Sequence, residues 1–242
     1  MGVTTWQVVP LCERQLRDVR PEDVLNDGLY SKCDVYRGGG GYDRFPVITA
    51  RRLDERVASQ FVVQLKGCPL KCPYCYVTPD GVNGAAVEVT TAALVDAYKE
   101  SGQRGFHLMG GAPALYLDQW PTLIDSLPRT AVFTSDLMLV ERKYTEVMLE
   151  YINSPRAIYA VSIKGTTPEE FLRNTGVELN EPLFWRNFDL VVDSDLSFYL
   201  TFTNCDPAGV EAFKRRLTSR YSPSVLLDSF AIDLVDYEAL KK

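Results

Sequence analysis

From residue 59 onward, short apolar runs alternate with longer amphipathic stretches. Runs rich in β-branched and aromatic residues predict strands at 60–66, 105–109, 130–134, 157–163, 197–203 and 229–235. The stretches between them predict helices at 90–101, 117–127, 141–153, 167–174 and 207–219. Their ends carry the expected punctuation. Thr90 or Thr91 caps the first and Gly102 stops it. Pro155 follows the end of the third. Thr167 and Asp206 each precede a proline at the first helical position. Residues 180–195 are ambiguous, helical in pattern at first and strand-like at 190–192. Residues 1–58 read as an N-terminal extension, with a helix at 13–25 and a glycine run at 38–41 that favours a loop.

Strands alternating with helices imply a parallel sheet with right-handed crossovers. The units are too few to close the usual eight-stranded barrel. The expected fold is α/β, an open (βα)6 partial TIM barrel over 59–242 behind the extension 1–58. Ligands of such sheets bind at the carboxyl ends of the strands.

Composition narrows the function. Hydrophobic residues make up 46% of the 242, enough to bury a full core. The net charge of −6 argues against a protein built to grip nucleic acid. No apolar run is long enough to span a bilayer, and the first residues lack the basic and apolar regions of a signal peptide. Gly2 is not followed by the hydroxyl residue that myristoylation requires. A cytoplasmic protein without a membrane partner is expected.

Cys68, Cys72 and Cys75 lie in GCPLKCPYCYV, directly after the first predicted barrel strand. In a reducing compartment such a cluster points to metal or redox chemistry. Three thiolates suit an iron–sulfur cluster with one open iron. A closed zinc site would need a fourth ligand, and the sole histidine, His107, sits on a different strand.

The spacing Cys68-x3-Cys72-x-Tyr74-Cys75 resembles the signature of the radical S-adenosylmethionine superfamily. The resemblance implies a [4Fe–4S] cluster on these cysteines. Its open iron would bind S-adenosylmethionine, whose reductive cleavage yields a 5′-deoxyadenosyl radical that takes hydrogen from a small-molecule or peptide substrate. An electron donor such as flavodoxin or ferredoxin is implied as a partner. Tyr74 would lie against the adenine. Gly110, Gly111 and Pro113 match the family's Gly-Gly-Glu-Pro segment, whose glycine backbone would meet the methionyl amine of the cofactor, with Ala112 in place of the acid.

The other predicted strand ends add partial matches. Thr134 falls where the family carries a polar segment. Ser162 and Lys164 resemble the Asp-x-Lys pattern of glycyl-radical activating enzymes, with serine replacing aspartate, and would bind ribose and carboxylate. Asn204 faces the same rim. His107 reads as a hydrogen-bonded strand residue, with acid–base chemistry as the alternative. Cys205 reads as a small buried hydrophobe, with hydrogen-atom donation as the alternative. Cys12, Cys33 and Cys205 lack a compact spacing for a second cluster. Activation of a glycyl-radical partner protein and a non-catalytic metal-binding module are the competing functions.

Overall fold

The computed structural model describes residues 3–18, 21–34, 59–75, 77, 82–221 and 229–232. Its strands are β1 (Thr5–Val8), β2 (Val24–Leu25), β3 (Tyr30–Asp34), β4 (Ser59–Leu65), β5 (Val87–Thr90), β6 (Gly105–Gly110), β7 (Val132–Leu137), β8 (Ala157–Ile163), β9 (Phe198–Thr203) and β10 (Ser229–Ile232). The helices are α1 (Glu13–Asp18), α2 (Thr91–Ser101), α3 (Trp120–Ser126), α4 (Glu146–Ile152), α5 (Pro168–Thr175), α6 (Glu181–Asp193) and α7 (Pro207–Arg220). The ten strands form one sheet of order β10-β9-β8-β7-β6-β4-β1-β5, with β3 also on β4 and β2 on β3. From β4 through β6 to β10 every pairing is parallel. The sheet does not close, and the predicted partial barrel is what forms.

Alternation along the strands explains the layering. One parity, including Phe61, Phe106, Phe133, Tyr159 and Phe202, enters the main core beneath the helices. Trp120 of α3 stacks on Tyr159 at 5.7 Å and meets Phe133 edge-on at 5.5 Å. Phe133 is 1% exposed. Phe133→Ala is expected to cost about 3–5 kcal/mol, read as a lower urea midpoint with an unchanged slope. The other parity faces the barrel interior and is largely polar: Gln60 and Gln64 on β4, His107 on β6, Thr134 and Asp136 on β7, Ser162 on β8, Thr201 and Thr203 on β9.

Capping residues set the helix starts as expected. Thr90, Thr145, Thr167 and Asp206 accept backbone N–H bonds, and Gly102 closes α2 in the left-handed region. The ambiguous segment is a single helix, α6. It buries Phe184, Asn187, Phe188 and Val191, a helical spacing, and Asn180 caps it.

Several boundaries differ. Strand β7 runs to Leu137, beyond the predicted end at 134. Residues 113–119 form a 3-10 turn ahead of α3, and α4 starts only after its cap at Thr145. The predicted helix 13–25 stops at Asp18. Proline 21 opens a 3-10 turn, and Val24–Leu25 pairs with Tyr30–Ser31; a proline has no N–H to give to a continuing helix.

The N-terminal segment is also more than an appendage. Its strands β1 and β3 pair antiparallel with β4, and Trp6, Val8 and Tyr30 enter the common core. Gln15 of α1 is fully buried and exchanges amide bonds with Gln64. The glycine run 38–41 lies outside the described residues.

Candidate radical site at the strand ends

Strand β4 ends at Leu65, and the chain turns at Gly67 with φ at +93°, a conformation glycine adopts without strain. Backbone bonds then fix the cysteine loop. Gly67 N–H donates to Val82 O (2.9 Å), Lys71 N–H to Thr175 O (2.7 Å) and Cys75 N–H to Cys72 O (3.1 Å). Leu70 N–H reaches the Cys68 sulfur at 3.4 Å. Leu70 also anchors a small apolar cluster with Ala112, Met138 and Phe171, against which Cys68 and Cys72 pack. Ala112 is 1% exposed in that cluster. A carboxylate in its place would be buried among apolar groups, which accounts for the departure from the family's glutamate.

Cys68, Cys72 and Cys75 are all partly exposed, and none is in a disulfide. Burial pushes the Cys68 thiol up to about 11 and raises Cys72, while the Lys164 charge pulls both down. Among the described residues, no three histidine, cysteine or acidic side chains converge on a single-ion site. A four-iron cube takes its thiolates at separate corners and does not require that convergence.

The other predicted site residues divide into two levels. Lys164 lies just past β8, with its ammonium 5.8 Å from the centre of the Tyr74 ring. Tyr74 is buried, and its hydroxyl finds no hydrogen-bond partner of standard geometry, the Cys72 thiol being its polar neighbour. Burial first, then Cys72, raises its pKa far above that of an ordinary phenol. Ser162 is on the interior face of β8, opposite Thr201. Asn204 follows β9 with φ at 51°, a conformation asparagine tolerates better than most residues.

Thr134 does not reach the rim. It sits mid-strand beside His107, and its hydroxyl donates to Phe106 O and accepts from Gln60 Nε2. The longer β7 puts Asp136 nearer the rim instead. Cys205 points its thiol at Ile163 O and Thr203 O, and burial raises it to about 12.

Gly110 and Gly111 have a reason within the chain. A Cβ on Gly110, whose φ is +102°, would stand 2.7 Å from Leu65 N. One on Gly111 would stand 2.0 Å from Gly67 O. The two glycines let the β6 loop lie directly on the cysteine loop, where Gly111 N–H donates to Leu65 O and Ala112 N–H to Gly67 O.

Two residues of α5, invisible as site residues in the sequence, hold the far side of the rim. Asn174 Nδ2 donates to both Lys164 O (2.9 Å) and Asn204 O (3.0 Å). The Glu170 carboxylate accepts from Thr166 N–H (2.7 Å), Thr166 hydroxyl (2.6 Å), Asp206 N–H (2.6 Å) and Arg173 (3.2 Å). Burial opposes the charge on Glu170, but these donors prevail and its pKa is lowered. Glu170→Ala leaves buried N–H groups unpaired and is expected to cost about 2–3 kcal/mol. A depressed pKa stabilises the fold above the ordinary glutamate value and loses that contribution as pH falls through the lower folded value. The stability gap between wild type and Glu170→Gln, followed by thermal melts, should therefore close on acidification; a constant gap would mean that these donors do not hold the Glu170 charge.

No curated protein sequence matches the chain. Among solved structures, native anSMEcpe with bound AdoMet superposes with a TM-score of 0.50 at 15% identity, over 70% of this chain and 49% of that one. The same protein with AdoMet and the Kp18Cys peptide gives 0.48 at 14%, over 70% and 49%. Streptococcus suis SuiB bound to precursor peptide SuiA gives 0.41 at 13%, over 70% and 47%. The chain thus spans about half the length of these structures. The profile of the family described as the radical SAM superfamily matches residues 62–204, more than half of the sequence. With the cysteine loop, the glycine loop and the parallel strands β6 to β9 all inside that match, the chain belongs to the radical S-adenosylmethionine superfamily, whose members work with a [4Fe–4S] cluster and S-adenosylmethionine.

Proposed function

We propose that this chain is a radical S-adenosylmethionine enzyme whose cluster is held by Cys68, Cys72 and Cys75. The observation that carries this reading is one loop of three partly exposed thiols at the carboxyl end of β4, with Lys164 and Tyr74 beside it. Thiolates are the usual ligands of such clusters, and the donor set fits. When bound, the cluster supplies the electron that cleaves S-adenosylmethionine to a 5′-deoxyadenosyl radical. An external donor of the flavodoxin or ferredoxin kind would recharge it.

The chain's own groups then divide the work. The Tyr74 ring offers an apolar face for the adenine. Lys164 supplies a positive charge for the methionyl carboxylate. Ser162 and Asn204 lie along the same rim for the ribose. The substrate is a small molecule or a peptide. Anaerobic reconstitution followed by electron paramagnetic resonance of the reduced protein, and detection of 5′-deoxyadenosine, test the proposal. A reconstituted, cluster-loaded protein that never makes 5′-deoxyadenosine would sink it.

Lys164→Met keeps the bulk of the stem and removes the charge. A charge-assisted hydrogen bond contributes about 1.5–3 kcal/mol, so S-adenosylmethionine should bind about one to two powers of ten more weakly by calorimetry. The cluster spectrum should not change. Wild-type affinity in this variant would leave Lys164 as a rim lysine with no hold on the cofactor.

A further inference from the structure

Below the rim, the interior face of the sheet carries a polar group that the cofactor reading does not use. We propose that His107 and Asp136 form the substrate-recognition site of the barrel interior and take a cationic N–H donor, an ammonium or guanidinium group. This rests on the proposed function and adds a substrate class to it.

His107 is level with Val62 on β4 and Thr134 on β7. Asp136 lies two residues further along β7 on the same face, beside Ala160, which pairs with Tyr199 of β9. Val132, Ile158 and Tyr199 pack together on that face and give it an apolar floor.

A chain of hydrogen bonds sets the histidine tautomer. The Thr134 hydroxyl donates to Phe106 O (3.4 Å), so its oxygen accepts from Gln60 Nε2 (3.4 Å). The amide of Gln60 therefore turns its carbonyl oxygen to His107 Nδ1, 3.0 Å away. A carbonyl oxygen only accepts, so Nδ1 carries the hydrogen and Nε2 is left with a lone pair. Gly105 makes this possible, because a Cβ there would stand 2.7 Å from Gln60 Cγ. Neither His107 Nε2 nor the Asp136 carboxylate has a hydrogen-bond partner among the described residues.

Two acceptors without donors, on adjacent strands of one face, are complemented by a group with at least two N–H donors and a positive charge. Among the described residues, the charged and titratable neighbours of the pair are Lys164 and Tyr199. Lys164 stands over Tyr74 and makes no ion pair with Asp136. Burial lowers the His107 pKa and raises that of Asp136, each offset in part by the charge of the other. A bound cation would offset the burial that works against the charge on Asp136.

His107 is the sole histidine, so protein labelled with 15N-histidine gives one imidazole signal set. The spectrum is recorded on the full chain, with and without the reconstituted cluster. Near neutral pH it should report a protonated Nδ1 and a bare Nε2. Methylguanidinium or methylammonium chloride should shift Nε2 saturably, and sodium acetate should not. Asp136→Asn should weaken the cation at least about tenfold. A protonated Nε2 would overturn the proposal. So would an equal shift with acetate, or unchanged cation affinity in Asp136→Asn. If that variant fails to fold, the cation and acetate arms on wild type still decide. The readout is the histidine itself, so a failure to make 5′-deoxyadenosine would strike the proposed function and leave this result standing.

Discussion

Replacing Cys68, Cys72 and Cys75 together with alanine is expected to abolish cluster assembly and with it all 5′-deoxyadenosine formation, while the fold survives. The loop's position does not depend on the thiols. It is tied by backbone bonds from Gly67, Lys71 and Cys75, and by Leu70 in its apolar cluster. A bond to sulfur runs from Leu70 N–H to Cys68, at 3.4 Å. Exchange of partly exposed thiols for methyl groups should change stability by about 1 kcal/mol or less. Iron and sulfide analysis, visible absorption and a thermal melt on one preparation make the check. Unchanged iron and sulfide would remove the cluster from these residues. A collapsed fold would mean that the thiols hold the loop, against the bonding described.

The alternation of apolar runs with capped helices made the parallel sheet legible, because each strand was short, β-branched and bounded by a clear stop. The strands before residue 59 were not. Thr5–Val8 forms by pairing with β4 and β5 and Tyr30–Asp34 by pairing with β2 and β4, and runs of that length carry no signal of their partners. Val87–Thr90 was missed for the same reason, since among the described residues it pairs with β1 alone. Tertiary pairing also lengthened β7 beyond its apolar part. Ser135 and Asp136 look like a loop in sequence, yet they continue the ladder against β8. That extension moved Thr134 below the rim.

The site was half legible. Three cysteines at fixed spacing announce themselves whatever surrounds them. The residues that position the rim do not. Glu170 and Asn174 look like ordinary positions on a capped helix, and their role appears only when α5 is seen to sit between the ends of β8 and β9. A Thr-Pro-Glu-Glu helix start contains the hint, because a second glutamate beyond the one that favours the helix terminus invites a question about its partners. The glycine pair was legible as special. In sequence it suggests room for a ligand, and within the chain the nearest obstacles to a side chain are atoms of β4 and of Gly67 at the start of the cysteine loop.

Gly111→Ala should therefore harm both stability and cluster assembly. The added carbon would meet Gly67 O at 2.0 Å, Gly67 C at 2.8 Å and Leu65 O at 3.0 Å. All three are backbone atoms and cannot rotate away. Gly67 O is also held by Ala112 N–H and Leu65 O by Gly111 N–H, so retreat of either strand end breaks a bond as well. Overpacking of this kind costs about 1–3 kcal/mol, and each lost hydrogen bond adds about 1 kcal/mol. A total of about 3 kcal/mol in a chain of this size lowers the melting temperature by roughly 6–12 °C. The displaced partner is the residue directly before Cys68, so the iron bound per chain should fall in the same preparation, at temperatures where the protein is still folded. Ser162→Ala, on the open interior face, serves as the comparison and should melt close to wild type. If Gly111→Ala melted with wild type and loaded a full cluster, the two loops would not lie against each other as described, and the glycines would return to a role in contacting the cofactor alone.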